Sequence, residues 1–339
     1  MNDPRFSRRS FGLGAAALAG TGLAMPMLSR PARAAPVSLR LSSSLPSDPN
    51  SAHWVWYDQF ARNLKTKLGD QITVNYFPDN QLGKESDIVG QVKLGIVDMM
   101  ISGSSIWATV APEVGVLDLG FLFPTLEASG TKLDGMAGQH LNQIFADKAG
   151  VEVLAWAVSF GGRNVTARAP APGPAELKGM KIRVLPVPNF VATLKAMGAA
   201  PTPMSLGEVY TGLQTGVIDG AEHDAPTVLA LKWYEVAKQI TLTKHIYNPQ
   251  TAIISQRALK KIPTELQGPF KEAANEATKY QRSKAAEIET AAFATLKSNG
   301  ITTIEADRAA YKALVLPVWD DFTKQYPNTK PILDAIGQA

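Results

Sequence analysis

The sequence predicts an α/β protein of two lobes, and three observations carry that reading. Strand-like and helix-like periodicities alternate from residue 37 onward, one segment recurs later in the chain, and 339 residues is about twice the usual size of a single domain. Val37, Leu39 and Leu41 alternate with Ser38 and Arg40, the pattern of a half-buried strand. A helix should follow Asp48-Pro49, because Trp54, Tyr57, Phe60, Leu64 and Leu68 recur every three or four residues. Residues 71–77 alternate again and end at the turn Pro78-Asp79-Asn80. Crossovers of this length are what parallel strand pairing requires.

The recurring segment is Ile88 to Asp98, which superposes on Val209 to Asp219 at a constant offset of 121. In each copy a helix should stop at a glycine suited to the left-handed cap, Gly95 or Gly216, and a short β-branched strand should end on the aspartate. Ser205 and Glu208 open the second copy with a capping-box spacing. Read with the chain length, the repeat is one α/β unit used in both lobes.

The chain should cross between lobes after the apolar run 151–160, where Gly161-Gly162 permits a bend and Pro170, Pro172 and Pro174 stiffen the connection. A long amphipathic helix is expected from about Pro269 to Ser298, carrying Phe270, Ala273, Ala277, Tyr280, Ile288, Ala292 and Leu296. At 1.5 Å per residue it would be roughly 45 Å long, enough to brace both lobes. A last helix should carry Tyr311, Leu314 and Trp319. The expected division is residues 1–34 as an export signal, 35–160 mainly the first lobe, 161–250 mainly the second, and 251–339 the long helix and C-terminal helices packing on both.

Charge supports an exported, freely diffusing protein. The net charge of +4 resides entirely in residues 1–34, where five arginines face one aspartate. The neutral remainder argues against nucleic acid as a partner. Ser7-Arg8-Arg9-Ser10-Phe11, a mildly apolar run from Gly12 to Leu28, and Ala32-Arg33-Ala34 have the order of a signal peptide and resemble a twin-arginine signal. An uncleaved anchor is the other reading, but the run is shorter than the ~20 residues a bilayer needs. The absence of cysteine excludes a disulfide, a thiolate metal site and a lipid-bearing N-terminal cysteine. The expected location is the periplasm, with the protein a monomer.

A search for catalytic or cofactor chemistry finds little. His53, His140, His223 and His245 lack the short spacing that puts two metal ligands on one helix face, so no metal site is expected. No phosphate loop, dinucleotide glycine pattern or Gly-x-Ser-x-Gly elbow is present, and no cofactor is expected. The stronger candidates are two arginines. Arg183 should lie on the opposite face of its strand from Ile182 and Val184, and Arg163 directly follows the glycine bend. Both could be solvated surface residues. At the rim of a water-excluding cleft, however, a guanidinium offers paired donors that match a carboxylate. Glu222-His223-Asp224 follows the second repeat at a strand end, where open α/β sheets bind ligands. Trp54 and Trp107 could line such a cleft or belong to the core.

Several segments are specific enough to suggest a family. Gln81-Leu82-Gly83, Leu177-Lys178-Gly179-Met180-Lys181-Ile182-Arg183-Val184, Pro203-Met204-Ser205-Leu206-Gly207-Glu208-Val209-Tyr210 and Leu213 to Glu222 resemble the solute receptors of tripartite ATP-independent periplasmic (TRAP) transporters, the DctP type. The resemblance covers nearly all of the chain after residue 34. It implies a two-lobed periplasmic binding protein fold, hinged, with a long helix across both lobes, closing on a small organic acid. It also implies Arg183 as the carboxylate partner, with Arg163 and position 223 beside it and Ser44, Ser104 and Leu206 at other cleft positions. Many relatives have Asn-Pro where this chain has His223-Asp224, and sialic-acid-type relatives carry an acidic residue where this chain has Gly103. The implied partners are a carboxylate and the small and large integral-membrane subunits, and the protein itself is expected to be no enzyme. An exported α/β enzyme acting on organic acids is the alternative, and a ligand sensor is a third reading.

Overall fold

The computed structural model describes residues 36–337, so the export signal expected at 1–34 lies outside the described residues. Two sheets organise the chain. The first has the order β2-β1-β3-β10-β4 and the second β11-β9-β5-β8-β6-β7. The strands are β1 Val37–Ser42, β2 Ile72–Phe77, β3 Met99–Gly103, β4 Val151–Val158, β5 Arg163–Ala167, β6 Lys181–Val184, β7 Ala200–Pro203, β8 Gly220–His223, β9 Gln239–Ile246, β10 Pro249–Ser255 and β11 Thr302–Glu305. Strands β1, β2 and β3 pair in parallel, and so do β6, β7 and β8. The return strand β10 runs antiparallel between β3 and β4, and β5 runs antiparallel between β8 and β9.

The first expected elements form where the periodicity places them, with a rotated face. Helix Ala52–Leu68 is capped by the Ser51 hydroxyl, which accepts the Trp54 amide. Its buried stripe is Trp56, Phe60, Leu64 and Leu68, while Trp54 and Tyr57 lie at its flank against Tyr76. The turn after β2 places Asp79 and Asn80 at φ 53° and 57°, a conformation these side chains tolerate.

The duplicated segment is a structural repeat, with one correction. Both helices end at a left-handed glycine, Gly95 at φ 74° and Gly216 at φ 76°. The aspartates do not end a strand; they precede one. Ile96 and Val217 are exposed, and β3 and β8 begin after Asp98 and Asp219. Each aspartate Oδ2 accepts the backbone amide of the neighbouring parallel strand at 2.8 Å, from Arg40 in β1 and from Lys181 in β6. In both copies a buried or half-buried carboxylate holding a backbone amide of the adjacent strand helps fix the register of the pair.

The chain crosses between sheets from β4 to β5 and returns from β9 to β10. Within the stretch expected to be helical from residue 251, β10 therefore belongs to the first sheet and β11 to the second. The long helix, Thr264–Ser298, starts before Pro269 and runs through it. Pro269 lies in the second turn, where it removes the backbone hydrogen bond to the Glu265 carbonyl and its ring crowds that oxygen, a disturbance confined to the start of a long helix. Its 35 residues span about 52 Å. Phe270, Ala273, Ala274 and Ala277 pack on Trp56, Phe60 and Leu64 in the first lobe, whereas Ala292 and Leu296 pack with Val209 and Leu213 in the second. Helix Arg308–Gln325 buries Tyr311, Val315 and Phe322, and Leu314 faces outward.

The glycine bend is enforced by geometry. Gly161 has φ 137°, and a Cβ there would overlap the Glu289 carboxylate of the long helix. Gly161→Ala is expected to cost about 1–3 kcal/mol of stability, because an L-residue is strained at that dihedral. Urea unfolding of the variant checks this, and an unchanged midpoint would show that the bend can relax.

Candidate functional site

Side chains from both lobes line a narrow cavity of about 30 Å³ between the sheets. Most of them come from strand ends and helix starts. From the first lobe come Ser44 just past β1, His53 on the first helix, Glu85 at the start of helix Glu85–Leu94, Gly103 at the end of β3 and Gln250 in β10. The second lobe supplies Arg163 at the start of β5, Arg183 within β6, Leu206 after β7, His223 at the end of β8 and Asp224 capping the next helix. Asn248 lines the cavity from the return crossing. At the mouth, Lys84 Nζ lies 3.1 Å from Glu208 Oε1, linking the entrances of the two repeated helices across the cleft.

The two arginines are both 1% exposed and differ in their partners. Arg163 is neutralised internally: its Nε and Nη2 grip the Glu222 carboxylate, the latter at 2.8 Å, and Nη2 also donates to the Glu222 carbonyl at 2.9 Å. Burial alone would raise the pKa of Glu222, yet the charge and hydrogen bonds of Arg163, with His245 behind, hold it down at about 2. Arg183 has no such carboxylate. Its Nε donates to the Met204 carbonyl at 2.9 Å, and its Nη1 is buried without a partner among the described residues. Burial, seconded by the charge of Arg163, lowers its pKa to about 10, so it remains charged at neutral pH.

The remaining wall is polar and acidic in part. Burial raises the pKa of Glu85, against the opposing pull of Ser44 and both arginines. His223 is depressed, first by burial and then by Arg163, and its Nδ1 lies 2.9 Å from Asp224 Oδ2. Asp224 Oδ1 accepts the Thr227 amide at 2.9 Å, so this residue is fixed by its capping role. Gly103 has no side chain for a physical reason: a Cβ would come within 2.6 Å of Asn248 Oδ1.

Of the residues expected at the cleft, Ser44, Arg163, Arg183, Leu206 and His223 come together around this cavity. Ser104 is not among its lining residues; it is fully buried behind Gly103, and its Oγ has no partner among the described residues. Trp107 is core, donating to Ser102 at 3.1 Å. Sequence reasoning missed Glu85, His53, Asn248 and Gln250. A signal existed for one of them: His53 is a polar residue on the apolar stripe of its helix.

A cleft walled by two α/β lobes, with a buried and unpaired guanidinium inside, defines a two-lobed ligand-binding protein. The chain belongs to the bacterial extracellular solute-binding proteins of family 7, DctP, matched over residues 46–325, the receptors of TRAP transporters. It is 36% identical over 278 residues to the 2,3-diketo-L-gulonate-binding periplasmic protein YiaO of Escherichia coli, covering 81% of this chain and 84% of that one. The TRAP periplasmic solute-binding protein of Xanthobacter autotrophicus, solved with β-D-galacturonate, superposes with a TM-score of 0.84 at 32% identity, covering 89% of this chain and 99% of its own. A Roseobacter denitrificans relative with bound L-galactonate gives 0.81 at 31%, covering 88% and 98%. Proteins of this family are periplasmic, and among the described residues no helix is long and apolar enough to cross a membrane.

The buried histidines give the site a pH signature. His53 is pushed down to about 4 by burial, against an ordinary value of 6.5. Below its unfolded pKa the unfolded chain binds a proton that the folded one refuses, so stability falls as pH drops from about 6.5 to about 4. The loss from His53 is on the order of 3 kcal/mol, and burial depresses His223 and His245 in the same direction. Denaturation curves across this window should show the slope, and His53→Gln should flatten it.

Proposed function

We propose that the protein captures a hydroxylated monocarboxylate of sugar-acid size and delivers it to the integral-membrane subunits of a TRAP transporter, performing no chemistry on it. The observation that carries this reading is Arg183 Nη1, a charged donor buried in the cleft without a partner. A ligand carboxylate supplies what the site lacks, and it does so strongly because water is excluded. Arg163 is already gripped by Glu222, so Arg183 is the guanidinium left to take a ligand carboxylate. Glu85 repels a second anionic group and can accept from hydroxyls, as can Asn248 and Gln250. The acids named for the relatives, a diketogulonate, a galacturonate and a galactonate, have this composition. Export through a twin-arginine signal at residues 1–34, a monomeric state, and a lobe division near residues 160 and 247 complete the proposal.

A thermal-shift screen of uronates, aldonates, 2-oxo acids and dicarboxylates tests the ligand class, since saturation at 100 times the dissociation constant adds about 2.7 kcal/mol. Tight binding of a neutral sugar with every acid ignored would overturn it. Arg183→Ala should weaken the best acid by about two to four orders of magnitude, the cost of an unpaired buried anion. Arg183→Lys should also bind poorly, because an ammonium lacks the planar fork. Calorimetry on folded variants reads both, and an Arg183→Ala protein with undiminished affinity would remove the anchor. Glu85→Gln should improve binding of dicarboxylates relative to monocarboxylates, and an unchanged ratio in the same titrations would deny Glu85 that role.

A further inference from the structure

His53, Asn248 and Gln250 line the cleft and also belong to one hydrogen-bond chain that ends away from it. The Leu45 amide donates to Ser43 Oγ at 3.1 Å, and Ser43 Oγ lies 2.8 Å from His53 Nδ1. His53 Nε2 lies 2.8 Å from Gln250 Oε1, and Gln250 Nε2 donates to Asn248 Oδ1 at 3.3 Å. Asn248 Nδ2 donates to Ser105 Oγ at 2.7 Å, and Ser105 Oγ donates to Asp118 Oδ1 at 2.5 Å. Every side chain in this chain is buried, and Asp118, fully buried, is not among the residues lining the cleft.

The Asp118 end sets the direction of the protons along the chain. A backbone amide only donates, and an ionised Asp118 Oδ1 only accepts; burial raises this carboxyl to about 7, against the pull of Ser105 and Arg163, so the acceptor end is fixed above that pH. Ser105 has one hydroxyl proton, and once it goes to Asp118 the oxygen must accept from Asn248. Asn248 then offers its amide nitrogen to Ser105 and turns Oδ1 toward Gln250. Gln250 in turn offers Nε2 and shows Oε1 to His53, so the imidazole proton sits on Nε2 and Nδ1 is bare for the Ser43 hydroxyl. Locally the opposite arrangement is open, because Ser43 can give its proton to the Leu45 carbonyl at 3.2 Å and accept from Nδ1. Burial keeps His53 neutral, so the choice is between two tautomers.

We propose that Asp118 is a positioning residue that, through Ser105, Asn248 and Gln250, selects the Nε2–H tautomer of His53 and so sets which donors and acceptors the cleft wall presents to ligand hydroxyls. The second half rests on the polyhydroxy-acid reading; the first is a property of the ligand-free protein. The competing restraint is the main-chain carbonyl of Asn248, 3.4 Å from Gln250 Nε2, which could orient that amide unaided.

The test is nitrogen-15 NMR of the histidine rings in ligand-free protein at about pH 9, where Asp118 is ionised and His53 neutral, with His53 assigned by its loss in His53→Gln. Wild type and Asp118→Asn, whose side-chain oxygen still accepts from Ser105, should show the Nε2–H form alone. Asp118→Leu should shift the tautomer ratio about tenfold toward Nδ1–H, the scale of one lost buried hydrogen bond. If Asp118→Leu does not fold, Ser105→Ala breaks the same link with a smaller change of volume and should show the same shift. A folded Asp118→Leu or Ser105→Ala protein with His53 still wholly Nε2–H would overturn the proposal and assign the orientation to the Asn248 main chain. In parallel titrations with D-glucuronate, D-galacturonate and D-erythronate, Asp118→Leu should lose about tenfold in affinity. If wild type binds none of these acids while the tautomer shifts, the relay stands and the ligand reading fails; binding without any tautomer shift gives the reverse.

Discussion

The Arg163–Glu222 pair is the interaction on which the arrangement of the cleft depends. It joins the first residue of β5 to β8 at the point where the chain has just crossed between lobes, and both side chains are fully shielded from water. Two charges so placed are tolerable because their geometry is bidentate and Arg163 Nη2 also reaches the Glu222 carbonyl. The pair also settles the charge balance of the cavity: with Glu222 taken by Arg163, Arg183 is left as the cation without a carboxylate. Strand β5 carries one arginine and β6 the other, with β8, which bears Glu222, between them in the sheet.

Much of the fold was legible in the sequence because its signals are local. The capped first helix, the two left-handed glycines, the glycine bend and the long helix follow from side-chain periodicity and from backbone conformations that few residues adopt. The errors were of phase and context. The stripe of the first helix was read through Trp54 and Tyr57 when Trp56 is the residue that points inward, because three neighbouring aromatics satisfy either phase. The aspartates of the repeat were placed at strand ends because their ties to Arg40 and Lys181 are non-local and leave no periodic trace.

The cleft was legible to the extent that its residues sit at strand ends within recognisable segments, as Arg183 and His223 do. Asn248 and Gln250 lie far along the chain, on the strand that returns to the first sheet, and only the tertiary structure brings them beside Gly103. Glu85 was hidden by position: an acidic residue opening a helix has an ordinary explanation in the helix dipole. Physical reasoning from sequence finds a binding residue most easily where no structural role competes for it.

The link between Lys84 and Glu208 at the mouth has a kinetic meaning. A ligand enclosed behind it leaves only as fast as the lobes part, so residence time is governed by the opening step as well as by the contacts inside. Because both side chains are more than half exposed, the link is weak and is screened by salt, whereas the guanidinium contact in the interior is not. Retention and release are thereby controlled at different depths. The interior determines which acid is held, and the rim, responsive to the ionic surroundings or to a charged docking partner, sets how soon it is let go.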